Sequence, residues 1–243
     1  MSPLENSFGS TEVTPAERQS RIRSVFTAVA PRYDLMNDLM SFGIHRLWKR
    51  DMASAIATPG GGLAVDLAGG TGDVARLLAR DPRRQVWVCD PSVAMMRAGR
   101  SRENVGDDKI GWIGGEAEAL PFADATLDLI TISFGMRNAT KPELALREAW
   151  RVLKPGGRFV CLEFSRPVFW LKPFYDLYSR LVIPRLGAAV AQQPDAYHYL
   201  IESIRRFPDQ REFAAMISAA GFRDVVWRNL SFGIACLHSG VRP

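Results

Sequence analysis

The chain has 243 residues, 47% of them hydrophobic, which is enough for one large domain around a continuous core. Its longest apolar runs, Leu127 to Phe134 and Arg158 to Phe164, are strand-sized and far short of the roughly 20 residues that cross a bilayer, which excludes a membrane-spanning helix. The three cysteines, Cys89, Cys161 and Cys236, lie far apart in apolar runs, and the net charge of +5 is dispersed, so neither a disulfide framework, a zinc site nor a nucleic-acid partner is expected.

Residues 1–17 mix Ser, Thr, Glu and Pro and read as a flexible polar tail, neither a secretory signal nor a transit peptide, so the chain is expected in the reducing cytoplasm. From Arg18 to Ala30 the apolar positions Ile22, Val25, Phe26 and Val29 have helical spacing. Beyond Leu63 short apolar runs alternate with helical segments. The predicted strands are Leu63 to Leu67, Gln85 to Cys89, Ile110 to Ile113, Leu127 to Phe134 and Arg158 to Phe164. The intervening helices are Gly72 to Arg80, Pro91 to Ser101 and Pro142 to Leu153. Such alternation predicts an α/β fold with a mostly parallel sheet covered on both faces. From Arg166 to Phe207 the pattern gives way to an aromatic- and proline-rich stretch that reads as a helical insertion. A helix at Asp209 to Ala220, stopped by Gly221, and strands Phe222 to Arg228 and Ser231 to His238 close the chain, the last two as an antiparallel hairpin at one edge.

The first strand runs into Asp66-Leu67-Ala68-Gly69-Gly70-Thr71-Gly72-Asp73, where glycines let the backbone approach a ligand and aim free N–H groups at it; a plain tight turn would have the same residues. Asp90 ends the second strand, where a carboxylate can accept from two ribose hydroxyls. After Gly70-Thr71-Gly72 the third glycine of a dinucleotide turn is missing, and Asp66 with Asp73 makes the region acidic. That suits a cationic ligand without phosphate, such as S-adenosylmethionine, better than a dinucleotide. Gly115 to Glu118 after the third strand and Ser133 at the end of the fourth complete the expected crevice, although a polar loop and a strand-end serine are the plainer alternatives.

The run Tyr33-Asp34-Leu35-Met36-Asn37-Asp38-Leu39-Met40-Ser41-Phe42-Gly43-Ile44-His45-Arg46-Leu47-Trp48 resembles the first signature of the UbiE/MenG family of quinone-biosynthesis C-methyltransferases. Arg151 to Gly157 with Glu163-Phe164-Ser165 is similar to its second signature, and Thr131 to Asn138 and Tyr197 to Pro208 to further family segments. The resemblance runs from about Arg23 to the C-terminus. It implies a Rossmann-like class I methyltransferase fold with a seven-stranded sheet. One domain over residues 18–243 would carry a helical lid at 18–58 and the insertion at 166–207. It implies S-adenosylmethionine at Thr71, Asp90, Glu116, Ala117 and Ser133, to which the glycine turn adds Gly69 and Gly70. The family commonly has Asn where this chain has Glu116, and many class I enzymes have Gly where it has Ala68.

The implied reaction methylates a ring carbon of a polyprenylated quinol, naphthoquinol or benzoquinol, which needs a group that stabilises phenolate and tight alignment. Arg137 and Asn138 are the expected catalytic pair, with a surface pair capping the next helix as the bland alternative. Tyr33, Asn37, His45 and Tyr199 are expected to hold the ring. No metal is expected, because His45, His198 and His238 lack ligand spacing. Phe169, Trp170, Phe174, Tyr175, Tyr178, Leu181 and Val182 would line the tail's path to the inner face of the membrane, with Lys172, Arg180 and Arg185 at headgroups; ordinary core packing is the alternative. Membrane or other quinone-biosynthesis enzymes are expected partners, and a homodimer is left open. The rival readings are a methyltransferase for another small molecule and a non-catalytic scaffold.

Overall fold

The computed structural model describes residues 6–8, 11–30, 33–56, 61–101, 109–178, 181 and 194–243, without the side chains of residues 194–198. Seven strands form one sheet: β3 (Gly62–Leu67), β4 (Arg84–Cys89), β5 (Ile110–Ile113), β6 (Leu127–Ser133), β7 (Leu153–Phe164), β8 (Arg223–Leu230) and β9 (Ala235–Val241). Their order is β5-β4-β3-β6-β7-β9-β8. The first five are mutually parallel, whereas β9 is antiparallel to both β7 and β8. The antiparallel strand therefore lies one place in from the edge, and β8 is the edge itself. The strand order reverses at β3, and the crevice where ligands settle in such sheets opens between the carboxyl ends of β3 and β6.

Alternation along the strands sorts the core into two layers. Val65, Leu67, Ile130, Ile132, Phe159 and Cys161 pack with Leu146 and Ala149 of α6 (Pro142–Val152) and with Phe213 and Ile217 of α8 (Gln210–Ala219). On the other face Ala64, Val86, Val88, Leu129, Val160 and Leu162 meet Trp48 and Met52 of α3 (Ile44–Ala55) and Val74, Ala75 and Leu78 of α4 (Asp73–Leu78). The helix α5 (Val93–Arg100) follows β4.

A third, smaller cluster sits above the crevice. It joins Val25, Phe26 and Val29 of α1 (Pro15–Val29), Tyr33, Met36 and Met40 of α2 (Tyr33–Ser41), Tyr178, and Ile201 of α7 (Pro194–Arg206). The expected polar tail has structure where it is described. Ser7–Phe8 (β1) pairs with Thr11–Glu12 (β2), and α1 starts at Pro15, earlier than its apolar spacing suggests. The cause is local: Thr14 and Glu17 cap each other's backbone N–H groups, and Pro15 fits the first helical turn.

Candidate active site

Two cavities adjoin above the carboxyl ends of the strands. The first is lined by the ends of β3, β4 and β6, the loop through Glu116, Ala117 and Glu118, and residues Gln19, Ile22, Arg23 and Phe26 of α1. The second is lined largely by aromatic and aliphatic side chains from α2, α3, residues 171–178 and α7. Tyr33 and Phe134 line both.

Asp90 is the buried carboxylate of the first cavity. Its Oδ2 accepts from Gly70 N at 2.8 Å and its Oδ1 from Ser92 N at 2.7 Å. Burial outweighs these bonds and pushes its pKa up to about 6. Ser133 Oγ is buried at the cavity wall without a hydrogen-bond partner among the described residues. Gly70, Glu116 and Ala117 also line this space, but Gly69 and Thr71 lie behind it. Gly69 is required by crowding, since a Cβ there would fall 2.8 Å from the Asp66 carbonyl oxygen. Thr71 donates to Asp34 Oδ1 at 3.4 Å, and its carbonyl accepts from Arg76. Ala68 takes a left-handed φ of 49° where a glycine is the easier residue, and Gly135 leaves room for its methyl group.

The acidic pair expected at the tip of β3 does not face this cavity. Asp66 turns back into the fold, accepting from Ala75 N at 3.1 Å and Thr131 Oγ1 at 3.0 Å, and burial raises it to about 7. Asp73 is paired with the buried Lys49 of α3 at 3.1 Å. The negative groups that reach the cavity are Asp90, Glu116 and Glu118, with Glu116 bonded across to Arg23 of α1.

Arg137 and Asn138, adjacent in a single helical turn (Met136–Asn138), serve different cavities: Arg137 lines the aromatic one and Asn138 the polar one. Arg137 is buried, ion-paired to the fully buried Glu163 at 2.9 Å, with a further bond to the Phe134 carbonyl and its guanidinium over the Phe164 ring. Its Nε has no hydrogen-bond partner among the described residues. Asn138 Oδ1 accepts from Tyr199 Oη at 3.0 Å. Tyr199 lines neither cavity; it stacks on Phe8 at 4.7 Å and so braces the turn from behind. Arg18 ties the same turn down, donating to the Asn138 carbonyl at 2.8 Å, the Arg137 carbonyl at 3.2 Å and Ser7 O at 3.1 Å. Glu163 enters the sequence reading only as part of a signature run, and Arg18 only as the start of a helix. A charged residue among polar neighbours at a helix start shows no sign of burial, whereas Glu163 closing an apolar strand did carry one.

Tyr33, Asn37 and His45 all line the aromatic cavity, as do Phe174, Tyr175 and Tyr178. Desolvation raises the Tyr175 phenol to about 12 and lowers the His45 imidazole to about 4, so both are neutral near pH 7. Phe42, Ile44 and Phe174 of this lining are also exposed, as are Leu35, Leu47, Phe169, Trp170, Leu177, Leu181 and Phe232 elsewhere on the chain. Lys172, expected at headgroups, is ion-paired to Asp176 at 2.7 Å. Arg180, Val182 and Arg185 lie outside the described residues, as does the His198 side chain. No group of three metal-ligating side chains occurs, and no helix is long and apolar enough to cross a membrane, among the described residues.

The architecture is shared widely. The chain superposes on a SAM-dependent methyltransferase from Thermotoga maritima with a TM-score of 0.64 at 21% identity, covering 90% of this chain and 99% of that one. It matches the cyclase SpnF with a TM-score of 0.66 at 15% identity, over 93% and 96% of the two chains. Those likenesses establish the fold alone. Sequence similarity is far closer to the protein named ubiquinone/menaquinone biosynthesis C-methyltransferase UbiE from Rubrivivax gelatinosus, 63% identical over 99% of this chain and 94% of that one. The protein of the same name from Paracoccus denitrificans is 52% identical over 98% and 97%. A profile of the ubiE/COQ5 methyltransferase family matches residues 14–242, and the chain belongs to that family.

Proposed function

We propose that the chain moves a methyl group from S-adenosylmethionine to a ring carbon of a polyprenylated quinol, a step in making ubiquinone and menaquinone. The observation that carries the reading is the pairing of unlike cavities across one shared wall. Buried Asp90 and Ser133 line the first and Arg137 the second, and among the described residues Ser133 Oγ and Arg137 Nε have no hydrogen-bond partner.

The residues of the polar cavity fit the donor. Bound there, S-adenosylmethionine supplies a methyl group activated by sulfonium charge. Asp90 accepts from ribose hydroxyls, Ser133 Oγ gains the partner it lacks, and Glu116 and Ala117 border the base. Gly69 and Thr71 hold the loop from behind. In the aromatic cavity Arg137 stabilises the phenolate left when the quinol gives up a hydroxyl proton, the form whose charge is passed to the attacking ring carbon, and Glu163 fixes its guanidinium. Asn138 and Tyr199 keep the turn between the cavities in place. The products are the methylated quinol, the demethylated donor and one proton released from the ring carbon. Helices α1 to α3 act as a lid that excludes water from both spaces.

Exposed apolar side chains occur between Leu35 and Leu47 and between Phe169 and Leu181, and Phe42, Ile44 and Phe174 among them also line the aromatic cavity. They form the route for an isoprenoid tail, with this face resting on the membrane from the cytoplasmic side. Purified protein incubated with demethylmenaquinol or 2-methoxy-6-polyprenyl-1,4-benzoquinol and labelled donor should release labelled product. Calorimetry showing no uptake of the donor but uptake of a pyridine dinucleotide overturns the reading.

A further inference from the structure

Gly43, with a left-handed φ of 72°, turns the chain from α2 into α3 and brings the end of one helix against the start of the next. In that corner His45 Nδ1 lies 2.7 Å from Ser41 Oγ, and Ser41 Oγ lies 2.7 Å from the Asn37 carbonyl oxygen. A hydroxyl has one proton, and a carbonyl only accepts, so the serine proton is spent on Asn37. Ser41 Oγ can then only accept from the imidazole. The proton of a neutral His45 ring is held on Nδ1, and Nε2, on the other side of the ring, is left as a bare lone pair.

The surroundings keep the ring neutral. Burial and the nearby Lys49 cation lower its proton affinity, Arg46 adds to this, and Asp38 and Asp73 oppose it without prevailing. Asp38, the nearest carboxylate at 4.0 Å, is occupied by Arg46 through both oxygens at 2.6 and 2.7 Å. Nε2 makes no hydrogen bond among the described residues, although the ring is buried and lines the aromatic cavity. His45 therefore adds to the cavity lining an acceptor that cannot donate.

The two redox states of a quinoid ring differ in hydrogen-bonding capacity. The reduced ring carries O–H groups that donate and accept, whereas the oxidised ring carries carbonyls that only accept. We propose that His45, its tautomer set by Ser41 and Asn37, is the residue by which this cavity selects the reduced quinol and rejects the oxidised quinone. The proposal rests on the reading that a quinol ring occupies the aromatic cavity. A quinone carbonyl placed against Nε2 leaves both lone pairs buried and unsatisfied, and sites built to bond a hydroxyl reject analogues lacking it. Only the reduced ring is electron-rich enough to attack a methyl group, so the selection keeps the site from filling with an unreactive ligand.

The test is anaerobic titration of the full chain, loaded with S-adenosylhomocysteine, with 1,4-naphthoquinol held reduced or with 1,4-naphthoquinone, read by the fluorescence of Trp48 in the cavity wall. The wild type should bind the quinol at least about tenfold more tightly. His45→Phe should bring the two affinities within about twofold by weakening the quinol, with S-adenosylhomocysteine affinity unchanged. His45→Gln, whose amide oxygen can accept, should keep part of the preference. Ser41→Ala, which frees the imidazole proton to move, should reduce it, and it carries the test if His45→Phe does not fold. Equal affinity of the wild type for both rings, or a preference that survives His45→Phe, overturns the proposal while leaving the quinol site intact. Binding of neither ring overturns the proposal and the quinol reading together.

Discussion

The two cavities share Tyr33 and Phe134 but are built by opposite means. The polar one is built on loops at the ends of β3, β4 and β6, which carry Asp90 and Ser133, and is closed by residues of α1 and by Tyr33. The aromatic one is made of side chains from helices far apart in the chain, and its charges are neutralised or suppressed: Arg137 is paired to Glu163 and the His45 imidazole is kept neutral. A charged donor and a greasy acceptor can thus sit a side chain apart without either site filling with the other's ligand. The wall between them has strain of its own, with Phe134 held at a left-handed φ of 57° beside Phe164 and Trp48.

The sharpest way to break this division is at the buried ion pair. Arg137→Ala leaves Glu163 charged and unpaired, which should cost about 3–5 kcal/mol of folding stability and lower turnover by at least about a hundredfold. Arg137→Met combined with Glu163→Met should recover most of the stability in urea titrations and none of the turnover. In the polar cavity, Asp90→Asn should weaken donor binding by about 10- to 100-fold in calorimetry and leave ring binding unchanged. Because burial raises Asp90 to about 6, the wild type should lose donor affinity as pH falls through that value and its carboxylate protonates; Asp90→Asn should lose that dependence.

A third contrast concerns acid stability. The folded His45 pKa, about 4, lies below its ordinary value of 6.5, so unfolding takes up a proton at His45 between those values and its contribution to stability is lost as pH falls across that window, while buried Asp66 and Asp90, raised to about 7 and about 6, act in the opposite sense. The His45 share should reach up to about 3 kcal/mol by pH 4, read as the change with pH in the stability difference between wild type and His45→Phe from urea titrations at about pH 7.5 and 4.5. The smallest effect is expected at the mouth of the polar cavity, where the Arg23–Glu116 pair is substantially solvated. Arg23→Ala should change stability by less than about 1 kcal/mol and speed donor release a few-fold, measurable by stopped-flow fluorescence.

The strands and crossover helices were legible because buried parallel strands are short apolar runs and helices keep their own period; β5, Ile110–Ile113, coincides with its predicted run. Asp90 was legible for a related reason, since a carboxylate closing the second strand has one place to go. The Thr14-Pro15-Ala16-Glu17 cap was equally readable and shows that the first helix starts before its apolar spacing does. Other features left no local mark. Arg18 looks like any surface arginine until three distant oxygens converge on it, and Asp73 looks like a ligand carboxylate until Lys49 arrives from α3.

Sequence alone determined the sheet, the strand-end loops and the residue types each cavity would need, because those follow from periodicity and from chemistry carried within a few residues. Tertiary structure decided which way each group faces. Neighbours Arg137 and Asn138 part to different cavities, Asp66 turns inward, and the Ser41 hydroxyl settles which nitrogen of His45 is bare. Such choices depend on what packs against a side chain from elsewhere in the chain, and burial, which sets charge state and proton affinity, exists only once the fold has closed.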